Sequence, residues 1–286
     1  MITTLLLFAL QDISVLVLDG QSNHNWKAMT PFMKAQLEKG GLCKVEVSTT
    51  PRAGLKGEER DAAWAKWRPA FKDHQVVVSN YNGEPWPEEV RTAFVEFVRG
   101  GGGFHVVHAA NNAFSDWREY NDMIGLGWRA AGFGARVAYD DKGELVRMKP
   151  GEGPGAGHGP QHEFQVAIRD EEHPITKGLP KVWMHATDEL YHGQRGPAEN
   201  MQVLATAHSS REKGGTGLHE PMLWVIPFGK GRVVTNVLGH ENGKSLQCVG
   251  FITILRRSVE WLATAKVTVP APDNFPTGEK TSSEPK

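Results

Sequence analysis

Short apolar runs alternate with amphipathic stretches along the first hundred residues, and this alternation sets the architecture. Ile13 to Leu18 is continuously apolar and ends in Asp19-Gly20, as expected of a strand buried on both faces. Thr30-Pro31 reads as an N-cap followed by proline in the first helical turn, with Phe32, Met33, Ala35 and Leu37 carrying a helix to Gly40-Gly41. Cys43 to Thr49 is the second strand, a tryptophan-bearing helix covers Asp61 to Phe71, and Gln75 to Asn80 is the third strand. Pro87 opens a helix whose Val90, Phe94, Phe97 and Val98 recur at helical spacing, and Phe104 to His108 is the fourth strand. Parallel neighbours need crossover helices, so the pattern predicts an α/β fold with a doubly wound, mainly parallel sheet.

The second half is less regular. Gly100 to Gly103 closes a helix and enters a strand, which is a helix stop and not a phosphate-binding turn. Gly125 to Pro160 is glycine-rich and weakly periodic, and is expected to be an insertion lying over the sheet. Glu163 to Ile168, Val182 to His185, Met201 to Ala207, Met222 to Ile226 and Arg232 to Leu238 are strand candidates that add edge or antiparallel members. Ser245 to Leu262 reads as one closing helix. The proline-rich, polar stretch from 266 to 286 is expected to be mobile. One domain, 12–265, accounts for the chain.

The formal net charge of -1 supplies no field for nucleic acid or anionic lipid. Cys43 and Cys248 form neither a metal-type pair nor a disulfide framework. Residues 1–11 carry the apolar run of an export signal without a preceding Lys or Arg, so a trimmed signal with an exported protein and a cytoplasmic protein both stay open. No segment is apolar over a membrane-spanning length. A homo-oligomer is compatible with this composition. Twelve histidines and nine tryptophans change the picture most, because imidazoles bind metals and move protons while indoles stack on sugar faces.

In an open α/β sheet, ligands bind at the carboxyl ends of the strands. His24 follows the first strand, Asn80 ends the third, His108 ends the fourth with Asn111 close behind, and His240-Glu241 follows the last. A second set comprises His158, His162, His185, Asp188, Glu189 and Tyr191, with His219 before the penultimate strand and Arg195 suited to an anion or carbonyl oxygen. Histidines with carboxylates suit zinc or another divalent ion, although hydrogen bonding without metal serves the same residues equally well. His74, His105, His173 and His208 have no such company and are read as structural.

Gly101-Gly-Gly-Phe-His-Val-Val-His108, His173-Pro-Ile-Thr-Lys-Gly-Leu179, Asp188-Glu-Leu-Tyr191 and Gly229-Lys-Gly-Arg-Val-Val-Thr-Asn-Val-Leu-Gly-His240 together resemble the ThuA-like, or trehalose-utilisation, family over Ile13 to Leu262. The resemblance implies a fold similar to class I glutamine amidotransferases, which are flavodoxin-like. Such an enzyme would carry a cysteine after the fourth strand, where this chain has His108-Ala109-Ala110, so thiolate chemistry is excluded. The resemblance also implies a small carbohydrate-derived ligand, such as a keto-sugar or 3-keto-glycoside made by a partner oxidoreductase. In that scheme His108, His240 and Glu241 are the acid/base residues. His158, His162 and His185 hold a metal or an enolate, Trp117 stacks on the sugar, and His24, Asn80, Asn111, Asp188, Glu189, Tyr191, Arg195 and His219 bind substrate. A non-catalytic carbohydrate-binding protein and a metal-dependent hydrolase are the competing readings.

Overall fold

The computed structural model describes residues 12–240 and 243–284. The signal-remnant reading of 1–11 and the catalytic assignment of Glu241 fall outside the described residues. Strands β1 (Ile13–Asp19), β2 (Cys43–Thr49), β3 (Val76–Ser79), β4 (Gly103–Val107) and β11 (Gly231–Asn236) form a parallel block in the order β2-β1-β3-β4-β11. This is the flavodoxin-like order, with β11 in the fifth place. All side chains of β3 and β4 are buried, because helices cover both faces. Helices α1 (Trp26–Glu38) and α6 (Val249–Thr264) pack together on one side. On the other side, α3 (Glu88–Arg99) and α4 (Arg118–Ile124) enclose an aromatic cluster of Phe94, Phe104, Trp117 and Tyr120.

The sheet continues beyond β11 with antiparallel pairs through β10 (His219–Phe228), β9 (Gln202–His208), β7 (His162–Ile168) and β8 (Val182–Asp188). The glycine-rich insertion is not structureless. It contains a hairpin, β5 (Arg136–Tyr139) and β6 (Leu145–Met148), attached to the end of β10. Among the described residues no helix is long and apolar enough to cross a membrane, and Cys43 and Cys248 are buried free thiols.

Several boundaries differ from the sequence reading for local physical reasons. Helix α1 starts a turn before Thr30, since the Asn25 side chain caps Ala28 N–H at 3.3 Å, and Pro31 lies inside it. Helix α2 spans Gly57–Lys66 rather than reaching Phe71, because the residue before Pro69 is steered away from helical geometry. The closing helix is two: α5 (Lys244–Gln247) ends at Cys248, whose extended backbone bridges to Ser283, and α6 follows. The same bridge corrects the expectation of a mobile tail. Thr277 O accepts Met184 N–H at 2.7 Å, Ser282 O accepts Val249 N–H at 2.9 Å, and the Phe275 ring lies 5.8 Å from Trp183. The tail covers an edge of the sheet that composition alone could not reveal as sticky.

His105, on β4, is fully buried with neither ring nitrogen hydrogen-bonded, and burial pushes its pKa down to about 3. Its unfolded value is near 6.5, so the unfolded chain binds more protons between those limits. The stabilising share of neutral His105 is therefore complete above pH 6.5 and is lost as pH falls toward 3. From pH 7 to pH 5, denaturant unfolding of the wild type should lose about 2 kcal/mol more than that of His105→Leu. Equal losses in the two proteins would remove His105 as the cause.

Candidate metal and ligand site

The parallel block reverses connection direction beside β1 and β3, and its carboxyl edge receives the loops after β1, β4 and β11. His24 stands in the first of these, where its N–H is held by the Ser22 hydroxyl at 3.1 Å and its carbonyl accepts Trp26 N–H at 2.8 Å. His108 directly follows β4 with φ 44°, a left-handed backbone that a side-chain-bearing residue rarely adopts. His240 follows Gly239, whose φ of 97° and close approach to the Phe251 ring leave room only for glycine. Glu189 arrives from the antiparallel half at the end of β8.

These four residues converge. One donor atom from each of His24, His108, His240 and Glu189 lies within 4.8 Å of the others. Glu189 is 3.3 Å from His240 Nε2 through Oε1 and 3.6 Å from His108 Nε2 through Oε2. The rings of His24 and His108 are 4.9 Å apart, and those of His24 and His240 are 4.7 Å apart. Donor atoms around a tetrahedral zinc with bonds of about 2.05 Å stand about 3.4 Å apart, so the closest pairs already have the required separation. His24 Nδ1 is buried with no hydrogen-bond partner, an orphaned nitrogen that a cation would satisfy. Three imidazoles with one carboxylate suit zinc or a related divalent ion. The buried cluster could hold a metal.

Electrostatics keep the donors in ligand form. Burial, together with the like charges of His108 and His240, pushes the His24 pKa down to about 4, leaving the ring neutral at pH 7. Burial would raise Glu189, but the adjacent His108 side chain and the nearby His240 and His158 outweigh that and hold it at about 2. His108 Nδ1–H donates to Val237 O at 2.8 Å, which fixes the tautomer and turns the Nε2 lone pair toward the cluster. Tyr191 donates its hydroxyl hydrogen to that same Nε2 at 3.0 Å.

Asp188 holds the arrangement. This fully buried carboxylate accepts Gly239 N–H at 2.8 Å, His240 N–H at 3.2 Å, Glu189 N–H at 2.8 Å and His185 Nε2–H at 2.7 Å. Burial acts to raise its pKa, yet the His185 bond and charge keep it below the usual carboxylate range. His185 faces the Cys248 thiol on its other side.

The anticipated trio of His158, His162 and His185 does not converge. His185 is interior and belongs to Asp188, while His162 begins β7, with Nδ1 on Pro160 O at 2.8 Å and its ring 5.6 Å from Phe164. Only His158 reaches the site. Its Nε2 is 3.5 Å from Glu189 Oε1, and its side chain, 35% exposed, stands at the rim.

Other expected ligand residues are committed elsewhere. Trp117 is buried against Trp86, Phe114 and Tyr120 and cannot stack on a ligand at the cluster. Arg195 spends its guanidinium on the carbonyls of Pro154, Lys149, Gly134 and Glu152, so it braces the insertion. His219 lies against His208 at 5.1 Å and near Asp141, away from the cluster. Asn80 bonds Thr30 Oγ1 at 3.1 Å, and Asn111 bonds Gln194. The residues that sequence reading missed are Trp128, 4.8 Å from the Tyr191 ring and 5.7 Å from His158, and Gln161, whose amide is 3.4 Å from His240 Nδ1. Trp128 carried no periodic signal, and Gln161 was hidden between the two histidines that drew attention.

An open α/β domain with a histidine and carboxylate cluster at its switch point is the class that this geometry defines. The chain belongs to the ThuA family, described as trehalose utilisation, whose model matches residues 14–262. The chain is similar to a ThuA-like protein from Parabacteroides merdae, with 39% identity over 96% of this chain and 98% of that one and a TM-score of 0.89. A ThuA-like protein from Bacteroides uniformis, at 18% identity over 90% and 94% of the two chains and a TM-score of 0.56, shares the fold. Among curated proteins none matches the chain.

Replacing Asp188 with Ala strands a buried imidazole and three backbone N–H groups. Guanidinium unfolding of Asp188→Ala should show a loss of about 3–5 kcal/mol. A loss under about 1 kcal/mol would contradict the role given to this carboxylate.

Proposed function

We propose that this chain processes a small carbohydrate-derived ketone, a keto-sugar or 3-keto-glycoside, with a divalent metal such as zinc held by His24, His108, His240 and Glu189. The convergence of those four side chains at the switch point carries the reading, and the family's link to trehalose utilisation supports the substrate class. The earlier assignment of His108 and His240 as bases gives way to ligation in this reading, because their nitrogens face Glu189 and the two rings face each other. Bound there, the ion would polarise the ketone and stabilise negative charge developing on its oxygen.

His158 is the base in this reading. Its Nδ1–H donates to Gly159 O at 2.7 Å, which leaves the Nε2 lone pair toward the site, and its position at the rim gives it access to an entering sugar. It removes the proton from the carbon beside the ketone, and the electron pair moves to the ketone oxygen. On return of that pair, either the carbon is reprotonated on its opposite face, giving isomerisation to the epimer, or the glycosidic oxygen β to the carbonyl leaves as the alcohol, taking the proton held by His158, giving elimination. Trp128 offers the apolar face for the sugar ring. The ketone itself would come from a partner sugar oxidoreductase.

Incubation with 3-keto-trehalose and related 3-keto-glycosides in D2O, with zinc, manganese or cobalt supplied in turn, tests the proposal. Deuterium should enter beside the ketone, or product should form, only with metal present. Exchange should fall roughly a hundredfold or more in His158→Ala, metal content should fall in His240→Ala, and both should survive in His162→Ala. No exchange and no product with any metal across the panel would refute it.

A further inference from the structure

Two partners compete for one lone pair. His108 is anchored through Nδ1–H on Val237 O at 2.8 Å, so its only basic nitrogen is Nε2. That nitrogen faces Glu189 at 3.6 Å in the cluster, and it also accepts the Tyr191 hydroxyl at 3.0 Å. A single sp² lone pair cannot both accept that proton and bind a cation.

We propose that the Tyr191 hydroxyl occupies the metal's place on His108, is displaced when an ion binds, and then donates its hydrogen bond to the oxygen of the ligand held at the ion. The inference rests on the metal reading above and assigns Tyr191 a role that reading does not need. The ring itself stays in place. It is 99% buried by area, with the His108 ring 4.6 Å away, Trp128 4.8 Å away and His158 stacked at 6.2 Å. The freed hydroxyl therefore remains beside the cluster, a buried donor that turns either to the Asn112 side chain or to an acceptor at the ion. An oxygen presented by the ion's ligand satisfies it. The exchange couples occupancy of the metal site to the arming of a donor, with the ring as a fixed pivot.

Tyr191→Phe removes one oxygen and keeps the ring. Calorimetric titration with zinc alone should show the variant binding roughly two- to tenfold more tightly than the wild type, because no hydroxyl has to be displaced. Titration of acetate into the cobalt-loaded proteins, followed by the visible spectrum, should show roughly tenfold or greater weakening in the variant, because the donor to the oxyanion is gone. A wild type that takes up no ion overturns the metal reading and this inference together. Ion uptake by the wild type with equal or weaker zinc affinity in the variant overturns the exchange alone, and unchanged acetate affinity overturns the donor role alone.

Discussion

A buried carboxylate with four N–H donors, Asp188, is the interaction on which the site depends. Taking a carboxylate out of water is costly unless its lone pairs are satisfied, and here one side-chain and three backbone donors do so. The donors come from both halves of the sheet. Glu189 N–H and His185 belong to the antiparallel part, whereas Gly239 and His240 belong to the loop that leaves the parallel block. Two of the four cluster residues are thereby set by one group. Behind His185 lies Cys248, at the break between α5 and α6, and over Cys248 lies Ser283 of the tail. A chain of contacts thus runs from Ser283 of the tail to the histidine and carboxylate cluster.

The insertion is held by two arginines, of which Arg195 reads from sequence as a ligand-binding group. Arg195 donates to several carbonyls of the 134–154 stretch, and Arg136 is buried with Glu220, whose second oxygen accepts Gly193 N–H at 3.1 Å. Burial raises the Glu220 pKa even with Arg136 beside it, which makes this an expensive pair kept for the shape it enforces. The backbone exchange between Gly157 and His192, at 3.0 and 2.8 Å, completes the attachment. Its effect is to bring Trp128 and His158 over Tyr191, so the insertion supplies the rim while the sheet supplies the floor.

His108 shows how a fold can keep a geometry and exchange a chemistry. The strained turn after β4 is the place where a hydrolase of related architecture exposes a nucleophile, and the positive φ of His108 preserves that turn. At this turn an imidazole reaches the crevice with a lone pair. Burial and the Val237 hydrogen bond hold the ring against the strain.

The amino acid order determined the strand-helix alternation, the mainly parallel sheet and the strand ends bearing His24, His108 and His240, because hydrophobic periodicity and its interruptions are local properties. It also singled out Asp188-Glu189 as candidate ligand-binding residues. What it left open was partnership. His158 and His162 look like a pair, yet the turn through Pro160 and the start of β7 send them apart, and Trp117 and Trp128 differ in role only because one faces an aromatic layer and the other an opening. Arg195 and the tail past Lys266 were misjudged because their hydrogen-bond partners lie far away in the chain. Tertiary structure alone decided those matters, since strand register and loop path bring distant groups within bonding distance and no local pattern encodes which of them will meet.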